Sequence, residues 1–88
     1  MKTYKADSAR TAYDPIADVL FVGLIDAEST EIVDTPRGIS VYYTYPDSKV
    51  AGVSVERYRR RWGMAESIEV DAVEPFVVNV DVGRQGRS

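Results

Sequence analysis

The chain has 88 residues with 44% hydrophobic content, enough for one domain around one modest core. A net charge of −3 and a pI near 4.8 oppose attraction of the whole molecule to nucleic acid or anionic membrane. With neither cysteine nor histidine, the chain has no disulfide, no thiolate or imidazole metal site, and no serine–histidine or cysteine–histidine nucleophile.

Residues 1–7 carry no apolar segment after their lysines and do not read as a signal peptide. No run approaches the ~20 apolar residues that cross a bilayer, so no membrane is implied and the expected location is the cytoplasm. Residues 1–12 are polar and mixed. They read as a frayed tail over 1–6 or as an edge strand ending at Tyr13, the strand being preferred. Asp14 then reads as a turn cap, its carboxylate accepting backbone N–H groups two or three residues on. Pro15 follows where a helical turn begins, with φ preset and no N–H to satisfy. The apolar run from Val19 to Ile25 is too short for a buried helix. It suits a central strand covered on both faces, with Gly23 marking a bulge or a close backbone approach.

A turn over residues 26–29 leads to a short strand from Thr30 to Val33, and Pro36 and Gly38 suit the corners of the next turn. From Ile39 to Tyr45 the chain alternates, with Ile39, Val41, Tyr43 and Tyr45 on one side and Ser40, Tyr42 and Thr44 on the other. Pro46 fits the second position of a type I turn, and Val50 to Val55 returns antiparallel. The segment from Glu56 to Trp62 reads as a short helix or helical turn placing Val55, Tyr58 and Trp62 on one stripe, with Gly63 as its C-terminal stop, or as a strand continuation with Tyr58, Arg60 and Trp62 on one side, the helix being preferred. Ser67 to Val70 and Phe76 to Val82 read as strands, Pro75 marking the start of the last one, and residues 83–88 as a frayed tail. The expected fold is a single α+β or mainly-β domain over residues 1–88. It is an antiparallel meander with at most one short helix near residues 56–62.

Two stretches carry a resemblance. Tyr13-Asp14-Pro15, Ala17-Asp18 and the apolar run after them form the first. Gly38-Ile39-Ser40-Val41-Tyr42-Tyr43 with Val50-Ala51-Gly52-Val53-Ser54-Val55 forms the second. Together they resemble the bacterial and archaeal family known as domain of unknown function 2283, over about residues 13–55. The resemblance implies a compact strand-rich domain without an established activity, sometimes encoded beside toxin-like genes. It supplies no catalytic residues, and residues 56–88 depart from its pattern.

Among chemistry-bearing residues, Asp14 and Asp18 are the acidic pair that a hydrolase would need. Their bland reading is a turn cap and a solvated strand flank, and it is the preferred one. The remaining carboxylates lack the spacing and the glycine of a calcium loop, so no metal or cofactor is expected. Arg57, Arg59, Arg60 and Arg61, flanked by Tyr58 and Trp62, could grip phosphate while the aromatics stack on bases. The alternatives are aromatics in the core with the arginines forming a solvated face or pairing with Glu56, Glu66 and Glu69, or a surface for an acidic protein or a second copy. Tyr42 exposed beside Phe21 would form an apolar patch of the kind that meets a partner.

The functional expectation is a non-enzymatic interaction module that self-associates through a sheet face or edge. The candidate interface comprises Phe21, Tyr42, Arg57, Tyr58, Arg59, Arg60, Arg61 and Trp62, while Tyr13, Asp14, Pro15 and Asp18 form a structural turn. The resemblance adds an antitoxin-like role, masking a small basic toxin. A nucleic-acid-binding regulator using the arginines is the alternative, and a carboxylate-dependent hydrolase the third reading.

Overall fold

The computed structural model describes residues 1–80, which form eight strands and one short α-helix. Five strands build an antiparallel sheet: β2 (Ala12–Asp14), β3 (Val19–Gly23), β4 (Thr30–Thr35), β5 (Ile39–Thr44) and β6 (Val50–Glu56), in the order β2-β3-β6-β5-β4. A smaller mixed sheet orders β1 (Lys2–Lys5), β8 (Phe76–Asn79) and β7 (Ser67–Val70), with β1 parallel to β8. The helix α1 (Tyr58–Trp62) carries the chain from β6 to β7, and a 3₁₀ turn at Ser8–Arg10 carries it from β1 to β2. The domain is small and β-rich, as the alternation and turn chemistry require.

Alternation decides which side of each strand is buried. Leu20 and Val22, Ile39 and Val41, and Val53 and Val55 point to one side of the larger sheet. They meet Ile68, Val70, Phe76 and Val78 of the smaller sheet in a single core that also contains Tyr58. The turn signals resolve as expected at two places. Asp14 Oδ1 accepts the N–H groups of Ile16 (3.0 Å) and Ala17 (3.2 Å), so the cap is real. Arg37 and Gly38 take positive φ in the β4–β5 connection.

Several expectations are corrected. The strand from Val19 is not the middle one, and no second layer among the described residues covers its outer face: β6 lies in the middle, and Phe21 and Ile25 are 46% and 44% exposed. Gly23 marks a close approach, since a Cβ there would lie 2.3 Å from Arg10 Cβ. Residues 1–6 are not a tail and do not run on into Tyr13. Lys2–Lys5 and Ala12–Asp14 belong to different sheets. The meander is broken by two crossovers, because β3 pairs with β6 and β1 pairs with β8. The Tyr45–Pro46 peptide is cis, and the loop closes with Ser48 N–H donating to Thr44 O at 2.8 Å instead of as the expected type I turn. β4 runs two residues further than expected and β8 is described only to Asn79. The expected continuation through Asp81 and Val82, and the tail over 83–88, lie outside the described residues.

Candidate functional site

Three places gather the chemistry-bearing residues: a knot around Asp18, the solvent side of α1, and the outer face of the larger sheet.

At the knot, Asp18 sits in left-handed backbone (φ 58°), which aspartate tolerates better than most residues, and it is only 9% exposed. Its Oδ1 accepts the Tyr13 hydroxyl at 2.7 Å and the Arg59 N–H at 2.8 Å, and its Oδ2 accepts the Arg60 N–H at 3.2 Å. Its backbone carbonyl accepts the Tyr58 N–H at 3.1 Å. The first three amides of α1, which no helix can satisfy internally, therefore all end on one residue of a distant turn. The residue preceding the helix, Arg57, is itself left-handed and gives no side-chain cap. The Tyr13 hydrogen bond, joined by those from the Arg59 and Arg60 amides, holds the Asp18 carboxyl below its ordinary value, against the opposing effect of desolvation. The same bond, with burial next, raises the Tyr13 phenol. The solvated flank expected at Asp18 is thus corrected to an almost buried acceptor. Both carboxylates of the Asp14/Asp18 pair are engaged by backbone donors.

On α1, Arg59, Arg60 and Arg61 occupy successive positions and, with Arg57, are exposed. Successive helical residues point about 100° apart, so the guanidinium groups fan out and do not line one face. Among the described residues none of the four forms an ion pair, and the expected pairing with Glu56, Glu66 and Glu69 is absent there. Tyr58 cannot serve an interface: it is fully buried, and its hydroxyl donates to Ala65 O. Trp62 is half-buried against the core, with the Arg37 guanidinium 5.2 Å from its ring centroid. Its Nε1 is buried and without a partner among the described residues.

The outer face of the larger sheet is set by cross-strand register. One row runs Ile32, Tyr42, Gly52, Gly23, and the next runs Asp34, Ser40, Ser54, Phe21, Ala12. Phe21 and Tyr42 share this face but are not neighbours. β6 separates them by two strand spacings, about 10 Å, and contributes only Gly52 and Ser54 between them. Ile32, 59% exposed and directly opposite Tyr42, belongs to the patch and was not singled out from sequence. Its signal was there in the alternation of β4, where Ile32 and Val33 necessarily take opposite sides. Gly52 is small because it must be: a Cβ would lie 2.4 Å from Val22 O. Gly52 and Ser54 are buried between these side chains and Arg10 covers Gly23, so the trough between Phe21 and the Tyr42–Ile32 pair is narrow and closed at its floor.

Among the described residues no group of three or more acidic side chains is placed to hold a metal ion, and no helix is long and apolar enough to cross a membrane. Compared with protein-family models, curated proteins and solved structures, the chain matches none.

Proposed function

We propose that this protein is a non-enzymatic interaction module that self-associates through the outer face of its larger sheet. The observation that carries the reading is the exposed apolar side chains of this face: Phe21 on one side, Ile32 beside Tyr42 on the other, with only Gly52 and Ser54 between them. A solvent-facing sheet surface usually carries polar side chains, and apolar walls around a small-residue floor suit a self-complementary contact. In a two-fold dimer, Phe21 of each copy would pack against Ile32 and Tyr42 of the other. Sedimentation equilibrium of the wild type and of Phe21→Lys tests this, since position 21 is exposed and tolerates the change. The expected result is a dimer that becomes monomeric in the variant with its melting curve retained. A wild type that stays monomeric at high concentration removes the reading.

A second reading rests on the four arginines, exposed and without ion pairs among the described residues. In it, the protein binds nucleic acid through phosphate contacts alone, because Tyr58 is buried and Trp62 already lies under Arg37. Salt-sensitive retention on heparin, lost when all four become alanine, would support it. The resemblance of residues 13–55 supports a more specific form of the first reading, an antitoxin-like role against a small basic protein.

A further inference from the structure

On the side of β4 opposite the trough, the two sheets diverge and leave an open groove of about 1030 Å³. β4 and β1, the edge strands of their respective sheets, both contribute to its lining. Val33 and Tyr43 supply apolar surface from the larger sheet, and Phe76 from the smaller. Around them stand three carboxylates, Glu31, Asp71 and Glu74, against two ammonium groups, Lys2 and Lys49, while the Asp34 carboxylate accepts the Ser40 hydroxyl at 2.8 Å on the other face. Burial first, and then the Glu74 carboxylate, raises the Tyr43 phenol, in keeping with a negative surrounding.

The backbone along this groove has a definite phase. Tyr45 donates its N–H to Ser29 O at 3.3 Å, just beyond the Thr30–Thr44 pair. Antiparallel pairs alternate, so Glu31 with Tyr43 and Val33 with Val41 are the hydrogen-bonded pairs. Thr30, Ile32 and Asp34 therefore turn their N–H and C=O groups to the open edge. β4 has no proline, lysine or bulge to blunt that edge, and its only charges are acidic. Two β4 edges brought together would juxtapose Glu31 and Asp34 of both copies, which disfavours a second copy as the occupant.

We propose that this groove receives an extended segment of a partner protein, rich in apolar and basic residues, added as a new strand to the β4 edge. Backbone bonds to Thr30, Ile32 and Asp34 hold the segment in register. On the same face, its apolar side chains turn onto Val33 and Tyr43, and its lysine and arginine side chains reach Glu31, Asp71 and Glu74. The proposal does not depend on self-association, since the trough lies on the other face of the sheet.

The probes are two labelled synthetic peptides, of repeats Val-Thr-Lys-Thr and Val-Thr-Glu-Thr, in which valine and the charged residue fall on the same face of an added strand. The lysine peptide is expected to bind, more weakly as salt rises, and the glutamate peptide not to bind. The double variant Glu31→Lys/Glu74→Lys changes two exposed side chains and should weaken binding about tenfold or more. Thr30→Pro removes an edge donor without removing a ladder bond and should weaken it too. Both variants should keep the oligomeric state of the wild type. Hydrogen exchange should slow at the amides of Thr30, Ile32 and Asp34 when the lysine peptide is added. Absent binding, equal binding of both peptides, indifference to the variants, or unprotected edge amides would each overturn the proposal. An oligomer that dissociates on Thr30→Pro would overturn it as well, assigning the edge to a second copy.

Discussion

The Asp18 carboxylate accepts the backbone N–H of Arg59 at 2.8 Å, across 41 positions of sequence. A helix of five residues is too short to persist on its own, and here its N-terminus is closed by the turn that opens β3. The bond ties the connection between the two sheets to the edge of the larger one. Tyr13 completes the arrangement by donating to the same Oδ1.

Stability should depend on the ionisation of Asp18. Its folded-state pKa lies below the unfolded value, about 3.9, so its contribution is fully present above that pH and is lost as pH falls through the folded value. Asp18→Asn is therefore expected to lower Tm at pH 7, with the gap to wild type closing in acid. Thermal melts across that range check this, and a gap unchanged in strong acid would remove the charge from the explanation.

Asp14 acts locally, on the amides of Ile16 and Ala17. Asp14→Ala should cost about 0.5–2 kcal/mol, typical of a lost cap. Unlike Asp18→Asn, it should leave the position of α1 unaltered. Chemical denaturation gives the first quantity, and amide chemical shifts at Tyr58 to Arg60 report the second.

Tyr58 is the largest fully buried side chain, and its hydroxyl is used internally. Tyr58→Phe keeps the ring and should cost about 0.5–1.5 kcal/mol for the hydrogen bond to Ala65 O. Tyr58→Ala empties the space between the sheets and should cost about 3–5 kcal/mol. If the two variants melted alike, the ring would not be contributing as the packing requires.

Gly52 faces the carbonyl of Val22 so closely that a methyl group cannot be added without moving backbone in the middle strand. Gly52→Ala should destabilise by about 1–3 kcal/mol, an overpacking cost. Gly63→Ala is the useful contrast, because a Cβ there meets no atom within 4 Å and only the positive φ of 61° opposes it. Its loss should be the smaller of the two, about 1 kcal/mol.

The elements were largely legible in the sequence because their signals are local. Alternation marked β5, β6 and β7, and the Asp14-Pro15 pair marked its turn. The segment at Tyr58–Trp62 was open to a helix or a continued strand, and Tyr58 and Trp62 four residues apart with Gly63 after them favoured the helix that forms. These features need only neighbouring residues, since side-chain period and turn chemistry act within a few positions. What escaped depends on the meeting of distant segments. An apolar run such as Val19 to Gly23 is compatible with one buried face or two, and only the presence of a layer over its outer face decides which. Phe21 and Ile32 point away from the smaller sheet and are left outside, and that sheet, with three strands against five, leaves the groove open beside β4.

The sequence by itself determined a small strand-rich chain without thiol or imidazole chemistry, and the placing of most of its turns. The tertiary structure alone decided that β6 is the middle strand, that β1 pairs in parallel with β8, and that Asp18 serves a helix it does not precede. The physical reason is range. A turn or a strand is stabilised by contacts between residues close in the chain, whereas strand order and distal capping follow from how two twisted sheets bury one shared core.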